Sequence, residues 1–202
     1  SSGAVGLPNI IPYMYYFWKK DCAEGFATKS PEYYDRQQIQ RFVYAVNQPY
    51  VRDGMQSAFT NVSVFDDEYL MALFGGAEFP DGSFMVDDLA EIKEFQKLFM
   101  EVVAEIREHN MFTFPVLTMS LLRKDGKFGD PEFAEWAIKH NMKWYDSNLF
   151  IDDNVTSLSN CCRLKSDIKE LYFNSIGGTA LKVGSVKVST INLARIALEC
   201  AT

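Results

Sequence analysis

From Leu89 to Ile106 the apolar positions Leu89, Ile92, Phe95, Leu98, Phe99, Val102, Val103 and Ile106 form one stripe at helical spacing, which predicts a long helix from Val86 to His109. Asp87 and Asp88 at its start and Arg107 and His109 at its end suit the helix dipole. A second helix is announced by Ser30-Pro31-Glu32, a hydroxyl cap followed by a first-turn proline. It runs from Tyr33 to Val46, with Ile39, Phe42, Val43 and Val46 on one face, until Asn47-Gln48-Pro49 stops it. Asp130-Pro131-Glu132 repeats the signature ahead of a helix through His140.

Strand patterns lie between these helices. Phe59, Val62, Val64 and Phe65 mark a strand over Ser57 to Phe65, Phe112 to Leu122 reads as a buried strand made irregular by Pro115, and Asn148 to Ile151 is a short one. Phe74-Gly75-Gly76 and Pro80-Asp81-Gly82 read as loop, and Ser1 to Gly6 as a strand-to-helix passage. Helix and strand therefore alternate, the order that generates an α/β fold with a parallel sheet. Beyond Ile151, the run Thr156 to Leu164 with adjacent Cys161 and Cys162 reads as a loop between strand-like segments. Ser175-Ile176-Gly177-Gly178-Thr179 then forms a hinge ahead of the strand Val186 to Ile191 and a helix start at Asn192. Both ends read as cut from a larger protein.

With 202 residues, 48% of them hydrophobic and 14% aromatic, the chain can build a sizeable core. A net charge of −7 and the absence of a Lys/Arg block exclude a surface built to bind duplex nucleic acid, though not recognition of a single nucleotide. Ile10 to Trp18, broken by Pro12, is too short to span a membrane, and no signal peptide is evident. Four cysteines at 22, 161, 162 and 200 make no secreted-type disulfide framework, so a reducing cytoplasm is expected. Neither a Cys-x-x-Cys nor a histidine cluster is present to bind zinc.

Several stretches carry a family likeness: Gln48-Pro49-Tyr50-Val51-Arg52-Asp53-Gly54 with Gln56-Ser57-Ala58-Phe59-Thr60-Asn61, Asn110-Met111-Phe112-Thr113-Phe114-Pro115, and Asn160-Cys161-Cys162-Arg163. In this order they resemble the catalytic core of anaerobic (class III) ribonucleoside-triphosphate reductases over nearly the whole of residues 1–202. The resemblance implies the first half of a ten-stranded α/β barrel, with a cysteine-bearing finger loop through its interior. It also implies reduction of ribonucleoside triphosphates by a thiyl radical that removes the ribose 3′ hydrogen so that the 2′ hydroxyl leaves as water. An S–H bond suits this step because its strength is close to that of the C–H bond broken and remade.

Aligned with the family pattern, the Cys-Arg dipeptide implies the thiyl role for Cys162, with Cys161 as the alternative. Gln56, Thr60 and Asn61 are candidate ribose or base contacts against the plainer reading that they satisfy turn backbone. Thr190 and Asn192 are candidate phosphate contacts at a helix N-terminus, against a plain cap. The resemblance further implies a glycyl radical and a structural zinc outside this chain, ATP or dNTP effectors, a homodimer to which the long helix contributes, and a radical-SAM activating enzyme. Either formate or a thioredoxin-type donor is the reductant; Ser185 stands where formate users carry asparagine. Two other readings compete: a nucleotide-binding or subunit-assembly module without catalysis, and a thiol redox switch using the adjacent cysteines.

Overall fold

The computed structural model describes residues 4–50, 54, 56–155, 157–161, 164–167 and 200; for residues 4, 157–161 and 164–167 the description is of backbone alone. Strand β1 (Ala4–Leu7) is followed by helices α1 (Ile10–Ala23) and α2 (Pro31–Val46), strand β2 (Phe59–Phe65), and helices α3 (Asp67–Phe74) and α4 (Leu89–His109). Strands β3 (Val116–Lys124) and β4 (Lys127–Phe128), helix α5 (Pro131–Trp144), strand β5 (Ser147–Asp152) and a hairpin of β6 (Ser157–Cys161) and β7 (Leu164–Asp167) complete the order.

β1, β2, β3 and β5 lie side by side and parallel, with Leu7 opposite Val62, Ser63 opposite Thr118 and Ser120 opposite Phe150. β4 folds back antiparallel on the end of β3 through Asp125-Gly126, both at positive φ, as a two-residue hairpin requires. Parallel strands in sequential order with right-handed crossovers put their connecting helices on one face of the sheet. On that face Val62, Val64, Leu117, Met119 and Leu121 merge with Ile39 and Val43 of α2 and Ile92, Phe99 and Val103 of α4 in one core. Each such side chain contributes roughly 1.5–3 kcal/mol by leaving water.

Side chains close the helix starts. Ser30, Asp66 and Asp130 accept from the backbone N–H groups of Tyr33, Tyr69 and Phe133, each cap stabilising by about 1 kcal/mol. Gln96, fully buried on α4, takes the place of a missing strand. β1 pairs with β2 only as far as Val62, and beyond it Gln96 Nε2 donates to the Phe65 carbonyl at 3.0 Å while its Oε1 accepts from Phe65 N–H at 2.9 Å.

The structure corrects several expectations. Ile10–Ala23 is the helix into which the expected strand-to-helix passage leads, and Pro12 sits in its first turn, where its missing N–H has no helical partner to lose. Asp67–Phe74, eight residues capped by Asp66, is a helix that the strand reading of its left neighbour and the glycines on its right left unread. α4 begins at Leu89 rather than Val86, behind a 3-10 turn at Met85–Asp88. β3 begins at Val116 rather than Phe112, because side chains rather than a neighbouring strand hold residues 113–115. Asn47 bonds both backbone groups of Phe114, and Arg107 donates to the carbonyls of Thr113 and Pro115. The cysteine run is not a loop as far as Cys161: Ser157–Cys161 is a strand paired antiparallel with Leu164–Asp167.

Candidate functional site

Period-two alternation sends every second residue of β2 and β3 away from the helices. On β2 these include Asn61 and Ser63, and on β3 Thr118 and Ser120, all four buried. Asn61 Nδ2 donates to Thr118 Oγ1 at 3.1 Å, and Ser63 Oγ donates to Asn61 Oδ1 at 3.4 Å. Among the described residues the Ser120 hydroxyl finds no hydrogen-bond partner, although the residue is fully buried. An unpaired buried hydroxyl costs about 1–3 kcal/mol, so a row of four small polar groups with one unsatisfied is an expensive way to fill a sheet face that valine would fill without penalty.

Strand β6 crosses this region, its backbone lying against β1, β2 and β3. Since the helices occupy the other face, the hairpin that carries Cys161 lies over the polar row. The row itself holds only hydroxyl and amide groups. It can bond the hydroxyls of a polar ligand but can neither give nor take a proton near neutral pH, so any reacting group has to come from the hairpin or from the ligand.

Charged groups are gathered around the sheet ends. Burial pushes the Asp66 carboxyl up, opposed by N–H donors from Leu122 and Tyr69, which tie α3 to β3. Lys93 bridges Asp67 at 2.8 Å and Asp130 at 3.0 Å; burial alone would lower its ammonium, but the two carboxylates hold it above the ordinary lysine range. At the opposite end His140 Nε2 lies 3.3 Å from Asp146 Oδ1. Burial works against the Asp146 charge, yet His140, the Ser147 hydroxyl and Arg107 hold its carboxyl below the usual range. These groups are engaged with one another as structural locks. Among the described residues no group of three or more His, Cys, Asp or Glu is arranged to hold a metal.

The residues singled out from sequence fall in different places. Asn61 is in the polar row. Thr60, its neighbour, is on the helix-facing side and its hydroxyl donates to the Ala58 carbonyl at 3.1 Å, so the two do not act together. Gln56 is exposed ahead of β2. Cys161 ends β6, whereas Cys162, Thr190 and Asn192 lie outside the described residues, as does Ser185. Ser63, Thr118 and Ser120 went unread. Their signal is a small polar residue at every second position of an otherwise apolar strand, Asn-Val-Ser-Val-Phe and Leu-Thr-Met-Ser-Leu, which marks the second face of a sheet buried on both sides.

Comparison with known proteins bears on this geometry. The family model described as anaerobic ribonucleoside-triphosphate reductase matches residues 1–202. Among solved structures, the anaerobic ribonucleotide reductase from Thermotoga maritima with glycerol in the active site is similar at 46% identity and a TM-score of 0.74, over 98% of this chain and 32% of that one. The same enzyme in complex with dATP and CTP matches at 44% identity and a TM-score of 0.73, over 98% and 32%. With dATP bound in the specificity site it matches at 45% identity and a TM-score of 0.71, over 77% and 26%. The chain thus spans about a third of the length of these relatives. No curated protein matches it.

Proposed function

Because the chain belongs to the anaerobic ribonucleoside-triphosphate reductase family, we propose that it forms the first half of that enzyme's catalytic barrel and takes part in reducing ribonucleoside triphosphates to their 2′-deoxy forms. The observation that carries this reading is the cysteine-bearing hairpin lying over the uncharged polar row of β2 and β3. A sulfur radical on Cys162, or on Cys161, takes the hydrogen atom from the ribose 3′ carbon and becomes a thiol; the formate or thioredoxin-type donor supplies two electrons, with two protons of which one leaves with the 2′ hydroxyl as water and one ends on the 2′ carbon, and the thiol returns its hydrogen to the 3′ carbon. Hydrogen-atom transfer moves no net charge, and a surface of amide and hydroxyl groups suits it better than one of carboxylates or ammonium groups.

Asn61, Ser63, Thr118 and Ser120 orient the sugar by hydrogen bonds, the Ser120 hydroxyl being the one without a partner among the described residues. The family's glycyl radical, when present, supplies the oxidising equivalent that makes the thiyl radical. Structural zinc, nucleotide effectors, a homodimer, a radical-SAM activating enzyme, a formate or thioredoxin-type reductant and a cytoplasmic location belong to the same proposal. No described helix is long and apolar enough to cross a membrane.

The test is serine replacement of each cysteine in the complete enzyme. Loss of deoxynucleotide formation in Cys162→Ser, with nucleotide binding retained, supports the assignment, and loss only in Cys161→Ser moves the radical to that residue. Full turnover by both variants would sink it and leave nucleotide binding or subunit assembly as the function.

A further inference from the structure

Strands β2 and β3 stay bonded for one step beyond the last residue of β2, although the chain has by then turned into α3. In a parallel ladder a residue's N–H donates to the carbonyl before its partner, and its own carbonyl accepts from the N–H after that partner. Phe65 lies opposite Ser120, so Asp66 falls opposite Leu121. The Asp66 N–H does donate to the Ser120 carbonyl, at 3.2 Å, but its carbonyl accepts from Leu70 N–H in α3 at 2.9 Å and is lost to the ladder. The Asp66 side chain takes its place: Oδ2 accepts from Leu122 N–H, while Oδ1 caps α3 by accepting from Tyr69 N–H at 3.0 Å.

This double task needs a carboxylate. Serine or asparagine would cap α3 about as well, but each has a single acceptor oxygen, whereas both oxygens of an ionised carboxyl accept. Burying the charge is unfavourable. Asp66 is 1% exposed, and among the described residues no cation is paired with it, Lys93 being bonded to Asp67 at 2.8 Å and Asp130 at 3.0 Å instead. A helix cap alone does not require such a group.

The second oxygen acts at the Ser120 end of the polar row. Gln96 holds the far edge of β2 at Phe65, and β5 pairs with β3 from Leu117 to Leu122, so Asp66 supplies the remaining tie, from the β2 side to Leu122. We propose that Asp66 is a positioning residue whose second oxygen fixes β3 over Ser120 to Leu122 and so holds the Ser120 hydroxyl in line with the row. This role rests on the contact between Ser120 and the ribose proposed above. Without the Leu122 bond β3 is free to shift there, and a misplacement of about 1 Å in an orienting group is enough to slow an enzyme.

The test is a double-mutant cycle in the complete enzyme, read as kcat/KM for the ribonucleotide. Asp66→Asn keeps an acceptor for Tyr69 N–H and removes the one for Leu122 N–H. It is expected to lower kcat/KM about tenfold on its own but less than about twofold in the Ser120→Val background, because residues that act through one another do not add. Additive losses in the cycle, or unchanged kcat/KM in Asp66→Asn, would overturn the positioning role while leaving the ribose contact standing. Full kcat/KM in Ser120→Val alone would remove that contact, and the positioning role with it. Asp66→Ser, a cap with one oxygen, is expected to repeat the pattern. Failure of both Asp66 variants to fold would overturn the proposal by making the carboxylate a requirement of the fold alone.

Discussion

Replacing Asp35 by asparagine should stabilise the protein at alkaline pH and do nothing at acid pH. The carboxyl titrates near 7 when folded, against an ordinary 3.8. Between those values the unfolded chain ionises while the folded protein keeps its proton. The proton-bound, native-favouring contribution is therefore complete below about pH 4, is lost as pH rises, and is gone above about 7. At 1.36 kcal/mol per pH unit the gap amounts to about 4 kcal/mol, a ceiling because relaxation around the ionised carboxylate screens part of the charge. We expect Asp35→Asn to match the wild type at pH 3.5 and to exceed it by about 2 kcal/mol at pH 8. Urea titrations at both pH values, followed by tryptophan fluorescence with Trp18 as a local reporter, measure the difference. Equal stability at pH 8, or a less stable variant there, would refute the argument that this carboxylate is buried without a partner.

Gln96→Leu fills the same space but strands the N–H and carbonyl of Phe65, and should destabilise by roughly 2–4 kcal/mol in urea unfolding; a loss below 1 kcal/mol would mean that β2 does not need its side-chain partner. Asp146→Asn removes a carboxylate held below its ordinary pKa. The wild type should lose that stabilisation only as pH falls below about 4, so thermal melts of wild type and variant should differ at pH 7 and converge at acid pH, and parallel curves would refute the lock. Ser120→Val in the complete enzyme should leave stability unchanged or raise it while lowering kcat/KM for the ribonucleotide at least tenfold; unchanged kinetics would remove Ser120 from the substrate contacts. Asn47→Ala, which frees Phe114 from α2, should cost about 2 kcal/mol, measured by urea unfolding, with a loss under 0.5 kcal/mol counting against the clamp.

Much of the fold could be read from local pattern. Ser30-Pro31 and Asp130-Pro131 announced α2 and α5 because cap and first-turn proline act within four residues, and the stripe of α4 is visible wherever it packs. The passage from strand into helix ahead of α1 was legible, but the extent of α1 was not, because proline reads as a breaker until its place in the first turn is known. α3 was hidden because eight residues carry too little periodicity to stand out.

The site was less legible. Asn61 drew notice as a polar residue near a strand end, but Thr60 beside it shared that signal and faces the other way. Sequence by itself determined the element types, the parallel α/β class and the family, since helix propensity, capping and motif identity are properties of short segments. Tertiary structure alone decided that Asn61 and Ser63 meet Thr118 and Ser120 across two strands beneath a cysteine hairpin. It also decided that Gln96 would serve as a strand and that Asp35 would be buried without a cationic partner among the described residues. Strand order, register and burial depend on contacts between residues far apart in the chain, and no local pattern encodes which partner will be absent.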